Sequence, residues 1–388
     1  MVSPRDLGLK PTSWRPNQLE TIEEIKRATE DVLLIDAPTG TGKSIIALGT
    51  ARKTLAKTFI TTSTKTLQNQ YLEEGGQYVK TITGRANYPC VIPQYDREFA
   101  ARVGVNRNTS VKDASDAGLC DTCKFKPVCP YFVSRREALR SPISIHNYSY
   151  WLPESEYVGG FTGADYLFAD EGHLLDDVLQ EFASIRISPY LIEVANIGLP
   201  AHVQRLSEWI AWAAKAKQAC LEQRASASKQ LDKGKWLSRA QQLERLKTLE
   251  VDSAERWVLE WVTEVGLSVR PVWPRNVREL LLGKKAKKLI IMSGTIVDHE
   301  FFADFMGLGD HRYIKLPWTF PLESRPIYYR PAAEVTRRNV AAAVPSLASI
   351  VDYILDTHKG EKGVVHCRSF NLGYEVARLM KNQTRIIL

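Results

Sequence analysis

A short buried strand followed by a glycine-rich loop and a helix most constrains the fold of this chain. Residues 32–35 (Val-Leu-Leu-Ile) are β-branched or aliphatic throughout, as in a strand that is covered on both faces of a sheet. The loop at 37–44 interrupts this strand, and residues 45–56 are predicted to be helical. This order of elements is typical of an α/β domain with a parallel sheet, in which ligands bind beyond the carboxyl ends of the strands.

The loop has the composition of a phosphate-binding loop, although Ala37 stands where the usual pattern has glycine. Gly40 and Gly42 permit backbone torsions and a close approach that a Cβ would prevent. Backbone N–H groups can therefore point at nucleotide phosphates at the N-terminus of the helix. In this pattern Lys43 contacts the β- and γ-phosphates and Ser44 binds Mg²⁺. The other predicted loop contacts to the nucleotide are Pro38, Thr39 and Thr41.

Three further strands are predicted, at 58–62, 166–169 and 289–292. The second of these runs directly into Asp170 and Glu171. A carboxylate at the end of a strand near a phosphate loop can hold Mg²⁺, and its neighbour can polarise the attacking water. We assign the first role to Asp170 and the second to Glu171. The sequence therefore predicts a magnesium-dependent nucleoside triphosphatase.

Four of the six cysteines lie close together in the sequence, with the spacing C-x29-C-x2-C-x5-C. Four thiolates suit either a tetrahedral zinc ion or a four-iron cluster, and the spacing does not separate the two. Six cysteines in 388 residues are too few for a disulfide scaffold. We therefore expect a metal or cluster site in an intracellular protein of the cytoplasm, nucleoid or nucleus. The four predicted ligands are Cys90, Cys120, Cys123 and Cys129.

These motifs, in this order, resemble those of superfamily 2 helicases and, within them, the XPD/DinG-like iron–sulfur helicases. The resemblance covers most of the chain, including the Asp-Glu-x-His form of the acidic motif and Ser-Gly-Thr at 293–295. It implies that Arg15 and Gln18 contact adenine. It also implies that His173 hydrogen-bonds between two motor lobes and so couples the state of the nucleotide to binding of the DNA strand. It also implies that the four cysteines hold a [4Fe–4S] cluster.

The resemblance also implies a domain organisation. A RecA-like parallel-sheet lobe is expected from residues 1–86, 140–180 and 269–296. An iron–sulfur domain (87–139) and a helical arch (181–268) interrupt it, and a second RecA-like lobe is expected at 297–388 with strands near 327–329 and 363–366. The Gln-x-x-Gly-Arg segment that ends the family's second lobe does not occur here. We therefore expect a fragment with an incomplete second lobe. Such a fragment is expected to bind ATP, and rapid ATP hydrolysis is not predicted for it.

Charge favours a polyanionic partner, because 52 basic against 44 acidic residues leave a net charge of +8. Basic and aromatic residues alternate around the cysteines, as stacking on single-stranded bases requires, and a basic run lies at 284–288. No run has the length of a membrane span, so no membrane partner is expected. The predicted DNA contacts are Thr62, Thr64, Gln68, Arg85, Tyr131, Arg135 and Ser369.

The leading hypothesis is a monomeric ATP-dependent helicase that acts on single-stranded or forked duplex DNA, with the 5′-to-3′ direction implied by the resemblance. Two alternatives belong to other classes. One is a DNA-binding scaffold that uses the nucleotide as a structural ligand. The other is a zinc-containing ATPase that acts on RNA.

Overall fold

The structure is a computed structural model that describes residues 2–387 except 248, 250–255, 284, 322, 324–325, 334 and 337, and does not describe the side chain at 247. The chain divides into two compact units, Met1–Thr319 and Phe320–Leu388. The predicted boundary between the two motor lobes, at 296, is therefore wrong. The first unit contains the sheets and the motifs described above.

The strands and helices are numbered along the chain. The strands are β1 (Val32–Asp36), β2 (Thr58–Thr62), β3 (Val79–Thr81), β4 (Ile143–Asn147), β5 (Ala164–Asp170), β6 (Ile185–Ile187), β7 (Trp257–Val262), β8 (Gly266–Pro271), β9 (Ala286–Ser293) and β10 (Arg312–Lys315). The helices are α1 (Gln18–Arg27), α2 (Lys43–Thr54), α3 (Lys65–Gly75), α4 (Ile92–Tyr95), α5 (Arg97–Val103), α6 (Val111–Asp116), α7 (Pro130–Arg140), α8 (Tyr148–Pro153), α9 (Leu175–Ala183), α10 (Pro189–Ala195), α11 (Leu206–Ser226), α12 (Gln230–Lys247), α13 (Glu279–Leu282), α14 (His299–Met306), α15 (Val340–Thr357) and α16 (Phe370–Leu379).

A seven-stranded parallel sheet forms the centre of the first unit, in the order β10-β1-β9-β5-β2-β4-β3. Every residue of β1 and β2 is buried, because both faces of the sheet are covered. Residues of α1, α2 and α3 pack on one face, and residues of α8, α9 and α14 pack on the other. The predicted parallel α/β sheet and its four predicted strands are confirmed.

The register of the central strands aligns their carboxyl ends. Asp36 of β1 pairs with Ser293 of β9, and Asp170 of β5 pairs with Met292 of the same strand. β9 thus lies between β1 and β5. The glycine-rich loop, the 293–295 motif and the acidic motif consequently leave the sheet side by side at one edge.

The edge strand β10 explains why the lobe boundary lies beyond residue 296. It pairs in parallel with β1, with Ile314 opposite Ile35. Ile314 and Leu316 are buried in the same apolar cluster as β1. Burial of these side chains makes the segment after residue 296 part of the first sheet.

Two insertions extend from the sheet. The first insertion lies between β3 and β4 and contains the short helices α4–α6 and the start of α7. Its cysteines lie outside these helices: Cys90 precedes α4, Cys120 and Cys123 lie between α6 and α7, and Cys129 caps α7. The second insertion, predicted as a helical arch, contains α10, α11 and α12 and also an antiparallel sheet of order β6-β8-β7. Trp257 and Trp261 are four residues apart, as on one face of a helix, but they lie on β7, where burial alternates residue by residue. The period of this segment is two, which places both rings on one face against α11 residues such as Trp209.

The second unit contains α15 and α16, which pack on each other through Val344, Ala348, Val376 and Met380. Its described residues include 327–329 and 363–366, and no strand is assigned there. The strands predicted at these two places are therefore wrong. The apolar side chains of both segments are largely exposed and have no described partner strand.

By length and composition alone, α15 could also cross a membrane. Core helices share this composition. Within the second unit α15 packs on α16, and its Asp352 accepts hydrogen bonds from the backbone N–H groups of Lys381 and Asn382.

Candidate functional site

The glycine-rich loop joins β1 to α2 at the carboxyl edge of the sheet. Gly40 and Gly42 have left-handed backbone conformations, with φ of 90° and 79°. A Cβ on Gly42 would lie 2.4 Å from Nε2 of Gln18, so glycine is required there for sterics as well as for torsion. Helix α2 begins at Lys43, and no described side chain caps it. Its first backbone N–H groups are therefore available to an anion.

Arg15 and Gln18 hold this loop in place through hydrogen bonds to its backbone carbonyls. The Arg15 guanidinium donates to the carbonyl of Gly40 at 2.5 Å. The Gln18 amide donates to the carbonyls of Thr41 and Gly42 at 2.8 and 3.2 Å, and its own oxygen accepts from the Arg15 backbone N–H. Gln18 is almost fully buried. The structure thus brings both residues to the loop, while their contact with adenine stays a prediction.

The 293–295 motif lies directly against the loop. The Ala37 N–H donates to the carbonyl of Ser293 at 2.7 Å. A Cβ on Gly294 would lie 3.4 Å from the Ala37 carbonyl oxygen and 3.8 Å from Nζ of Lys43. Lys43 itself donates to the Ala37 carbonyl at 3.4 Å. Because these two segments touch, a change at the phosphate loop reaches the 293–295 motif without an intermediate.

Asp170 is buried, with two hydrogen-bond partners at its carboxylate and a third at its backbone carbonyl. The Tyr71 hydroxyl donates to Oδ2 at 2.9 Å, and the Glu171 backbone N–H donates to Oδ1 at 2.9 Å. The Tyr148 hydroxyl donates to its backbone carbonyl at 2.7 Å. Burial raises the pKa of Asp170 to about 6, against the opposing effects of the Tyr71 hydrogen bond and the positive charge of Lys43. Near neutral pH Asp170 is therefore an anion close to Lys43, as a magnesium ligand requires.

Glu171 and His173 connect the acidic motif to the 293–295 motif. Glu171 has a left-handed backbone (φ 55°), which is unusual for a residue with a side chain. Nδ1 of His173 lies 3.0 Å from the Ser293 hydroxyl and 3.4 Å from the Glu171 carboxylate. The contact shown for His173 is therefore within the first unit, whereas the resemblance had implied a link between lobes.

The four cysteines of the first insertion are close neighbours. Cys90 donates its N–H to the Thr109 carbonyl, and the Cys123 N–H donates to the Cys120 carbonyl in a tight turn. Burial, followed by the charges of the other three thiolates, raises the pKa of Cys120 to about 12. The four thiols thus lie near enough to influence one another's ionisation. The donor set therefore suits a metal or cluster that binds and deprotonates four thiols.

Three of the predicted DNA contacts are buried in the structure. Thr62 and Tyr131 have no exposed surface, and Gln68 has almost none. The Thr62 hydroxyl donates to the Thr64 carbonyl, and the Gln68 amide donates to the Thr81 hydroxyl and the Ile82 carbonyl. Tyr131 stacks edge-on against Tyr88 and Phe132. A buried ring cannot stack on a base, so the assignment of Tyr131 to the strand surface is wrong. The side chains of Thr62 and Gln68 have partners within the protein, and their contact with DNA stays a prediction.

Arg85 and Arg135, also predicted to contact DNA, converge instead on Glu154. The Arg85 guanidinium donates to Oε1 of Glu154 at 3.3 Å, and that of Arg135 donates to Oε2 at 2.9 and 3.0 Å. The Tyr131 hydroxyl donates to Oε1 at 3.1 Å. Glu154 is buried. This network joins the start and end of the cysteine insertion to the segment after α8, so its arginines have a structural role in the first unit.

Thr64 and Ser369 remain exposed. Thr64 caps the N-terminus of α3 and accepts from the Leu67 N–H, and Ser369 caps α16 and accepts from the Leu372 N–H. A phosphate can approach both helix ends.

The basic run at 284–288 is mostly engaged within the protein. Lys285 is buried and pairs with Glu156, and Lys287 pairs with Asp165. Lys288 donates to backbone carbonyls before β1. Lys284 lies outside the described residues. The run therefore offers Lys287 alone as a well-exposed cation among its described members.

Sequence reasoning missed Tyr71, Tyr148 and Glu154. Tyr71 lies on α3 and Tyr148 begins α8, so neither is adjacent in sequence to the acidic motif that it contacts. Glu154 is one of two nearby acids, with Glu156, and belongs to no recognised motif. None of the three carries a local signal; each becomes significant only when the sheet brings distant segments together.

Comparisons with known proteins agree with this architecture. Residues 15–103 match the DEAD/DEAH box helicase family. No curated protein matches the chain. The structure of S. tokodaii Xpd4 is similar with a TM-score of 0.50 and 14% identity, over 95% of this chain and 74% of that chain. A structure described as an XPD helicase gives 0.48 and 14%, over 94% and 73% of the two chains, and a truncated XPD gives 0.45 and 16%, over 78% and 100%.

At this level of identity the likeness to Xpd4 concerns the fold. It confirms the RecA-like α/β fold of the first unit and a resemblance in fold to XPD-like helicases, while the family match covers the glycine-rich loop.

Proposed function

We propose that this protein is an ATP-dependent DNA helicase of the iron–sulfur superfamily 2 class, which moves 5′ to 3′ along single-stranded DNA. One observation carries the proposal: the loop with Lys43, the acidic Asp170 and the 293–295 motif leave three adjacent parallel strands at one edge. Phosphate binding, magnesium binding and a segment that can report hydrolysis are thereby combined in one place.

In this proposal each residue of the site has a separate task. The N-terminal N–H groups of α2 and Lys43 hold the β- and γ-phosphates. Ser44 and Asp170 ligate Mg²⁺, which neutralises phosphate charge when it is bound. Glu171 orients and polarises the attacking water. The roles of Arg15 and Gln18 are to fix the loop and to contact adenine.

Two physical connections lead from this site towards a DNA strand. His173 contacts Ser293, so loss of the γ-phosphate near Glu171 can alter the 293–295 motif. Helix α3 provides the second connection, because Tyr71 donates to Asp170 while Thr64 lies exposed at the N-terminus of the same helix. We infer that the phosphate of a bound strand lies against this end of α3.

The four cysteines are proposed to hold a [4Fe–4S] cluster. A tetrahedral zinc ion with Zn–S bonds of about 2.3 Å would bring its sulfurs to about 3.8 Å from one another. The choice of the cluster over zinc rests on the resemblance of the cysteine insertion to that of the iron–sulfur helicases. When bound, the cluster supplies four iron–thiolate bonds that cross-link the insertion.

A strand-displacement assay tests the motor. Wild-type protein should displace the strand of a 5′-tailed duplex with ATP, and should not displace that of a 3′-tailed duplex. Lys43→Ala should lose ATP binding and displacement, whereas Lys10→Ala, an exposed lysine outside the loop, should behave as wild type. If Lys43→Ala displaces as well as wild type, or if neither displaces while both bind DNA, the motor proposal fails and the scaffold function takes its place.

Metal analysis and a change of nucleic acid test the remaining parts. Anaerobically purified protein should contain about four iron atoms per chain and be coloured by iron–thiolate absorption. A colourless protein with one zinc, and ATP hydrolysis stimulated by RNA rather than by DNA, would replace the proposal with the zinc-dependent RNA function.

A further inference from the structure

A cluster of two histidines and one glutamate lies at the edge of the parallel sheet, apart from the nucleotide loop and from the cysteines. His299 and Glu300 begin helix α14, and His311 lies just before the edge strand β10. The candidate ligand atoms of the three residues all lie within 4.8 Å of one another. Nδ1 of His299 is 3.2 Å from Nε2 of His311 and 3.6 Å from Oε1 of Glu300.

These distances suit a tetrahedral cation without backbone movement. Zinc binds imidazole nitrogen and carboxylate oxygen at about 2.0–2.2 Å, which places neighbouring ligand atoms about 3.3–3.5 Å apart. The two measured separations lie close to this range. Imidazole and carboxylate are also the ligand types that divalent zinc accepts in proteins.

Contacts around the cluster orient both imidazole rings. Nδ1 of His311 lies 3.1 Å from the Gly309 carbonyl, so it carries the proton and donates. This leaves the Nε2 lone pair of His311 directed at His299. The His299 ring stacks on Tyr313, with centroids 4.0 Å apart and planes inclined by 14°. The Tyr313 hydroxyl in turn donates to Asp36 at 3.1 Å, which fixes the stack against β1.

Because Nε2 of His311 is an acceptor, its contact with His299 requires either a proton on Nδ1 of His299 or a cation bound by both nitrogens. Glu300 supplies the negative charge that a cation requires, and its side chain is mostly exposed and free to move inward. A cavity of about 510 Å³ beside the cluster is lined by Glu300, His311 and Asp310 and leaves room for water as a further ligand. Arg275 and Arg278 also line it, and they pair with Asp304 and Glu279.

We propose that His299, Glu300 and His311 bind a divalent zinc ion that fastens helix α14 to the edge strand β10. The ion would close the chain between these elements into a loop and restrain the strand at the end of the sheet order. The site has three protein ligands, so water completes the tetrahedron. It is independent of the cysteine ligands and of the proposed helicase activity.

The test is a zinc titration of the full chain, purified anaerobically with its cysteine site as isolated. Calorimetry measures the affinity, and X-ray absorption at the zinc edge identifies the ligand atoms. The variants are His311→Asn and Glu300→Gln; the latter removes the carboxylate at an exposed position where folding is unaffected. The control is His202→Asn, since His202 also lies near a glutamate, Glu208, but has no second histidine beside it.

Wild type and His202→Asn should bind one zinc with nitrogen and oxygen neighbours at about 2.0–2.2 Å and no sulfur. Affinity should fall at least about 100-fold in His311→Asn, because even the loss of an outer partner of a ligand costs 10–100-fold. It should also fall in Glu300→Gln. The proposal is overturned if wild type binds no zinc, which leaves an imidazole–imidazole hydrogen bond only. Equal affinity in wild type and His311→Asn, or zinc with sulfur neighbours at about 2.3 Å alone, would overturn it as well.

Discussion

The hydrogen bond from Tyr71 to Asp170 sets the pH range in which the magnesium ligand is charged. Burial raises the pKa of Asp170 to about 6, and the Tyr71 hydroxyl, which stabilises the anion, opposes that rise. A hydrogen bond to a charged group contributes about 1.5–3 kcal/mol. At 1.36 kcal/mol per pKa unit, Tyr71→Phe should raise the pKa of Asp170 by about 1–2 units, to about 7–8.

The direction of the change in magnesium–ATP affinity follows from the negative charge that Mg²⁺ requires on Asp170. Mg²⁺ binds the ionised carboxylate, so affinity for magnesium–ATP should rise with pH through the pKa of Asp170 and then level off. At pH 7 the wild-type carboxyl is almost fully ionised, whereas that of Tyr71→Phe is about half to one-tenth ionised. The variant should therefore bind about two- to tenfold more weakly at pH 7 and about as well as wild type at pH 9.

Binding of a non-hydrolysable ATP analogue with Mg²⁺, measured by fluorescence between pH 5 and 9, tests this reasoning. Tyr148→Phe is the matched control, because it removes an equally buried hydroxyl that donates to the backbone carbonyl of Asp170 instead of to its carboxylate. Its midpoint should stay near pH 6. An equal shift in both variants, or a downward shift in Tyr71→Phe, would refute the assignment of the carboxylate and its hydrogen bond.

Two further predictions concern stability. Because the raised pKa of Asp170 costs stability as pH rises through about 6, Asp170→Asn should stabilise the nucleotide-free protein by up to about 3 kcal/mol at pH 8 while abolishing magnesium–ATP binding. Urea unfolding should show this gain disappearing towards pH 4. Glu154→Ala leaves Arg85 and Arg135 unpaired and should cost about 2–3 kcal/mol, less than a fully buried pair because the arginines are 34% and 22% exposed. Urea unfolding should show less than about 0.5 kcal/mol for Glu137→Ala, an exposed acid in a loose pair.

The strands that the sequence predicts correctly are those whose burial is complete. β1 and β2 are buried at every position, so their apolar or β-branched runs are visible without knowledge of their neighbours. β10 has the sequence Arg-Tyr-Ile-Lys, in which Ile314 alone is buried. Its place in the sheet depends on pairing with β1, far away in the chain, so no local pattern indicates it. The same limit explains the arch, where the alternation around Trp257 coexists with a helical spacing of the two tryptophans.

The candidate site divides in the same way. The glycine-rich loop and the acidic motif are contiguous in sequence because consecutive backbone N–H groups and strand ends do the chemistry, so spacing reveals them. Arg85 and Tyr131 were placed on the DNA surface because charge and aromaticity near the cysteines suit stacking. The structure gives both a buried carboxylate partner in Glu154. The sequence shows that a side chain is charged or aromatic, but not whether it already has a partner inside the folded protein.

Helix α3 gives a physical reason why nucleotide and strand binding should be coupled in the proposed motor. Its exposed N-terminus at Thr64 is the proposed contact for a DNA phosphate, and Tyr71, two turns along the same helix, donates to Asp170. A small displacement of α3 by the strand would change the Tyr71–Asp170 distance and hence the pKa of the magnesium ligand. Binding linkage is reciprocal. If a bound DNA strand changes the affinity for magnesium–ATP by some factor, bound magnesium–ATP must change the affinity for the strand by the same factor.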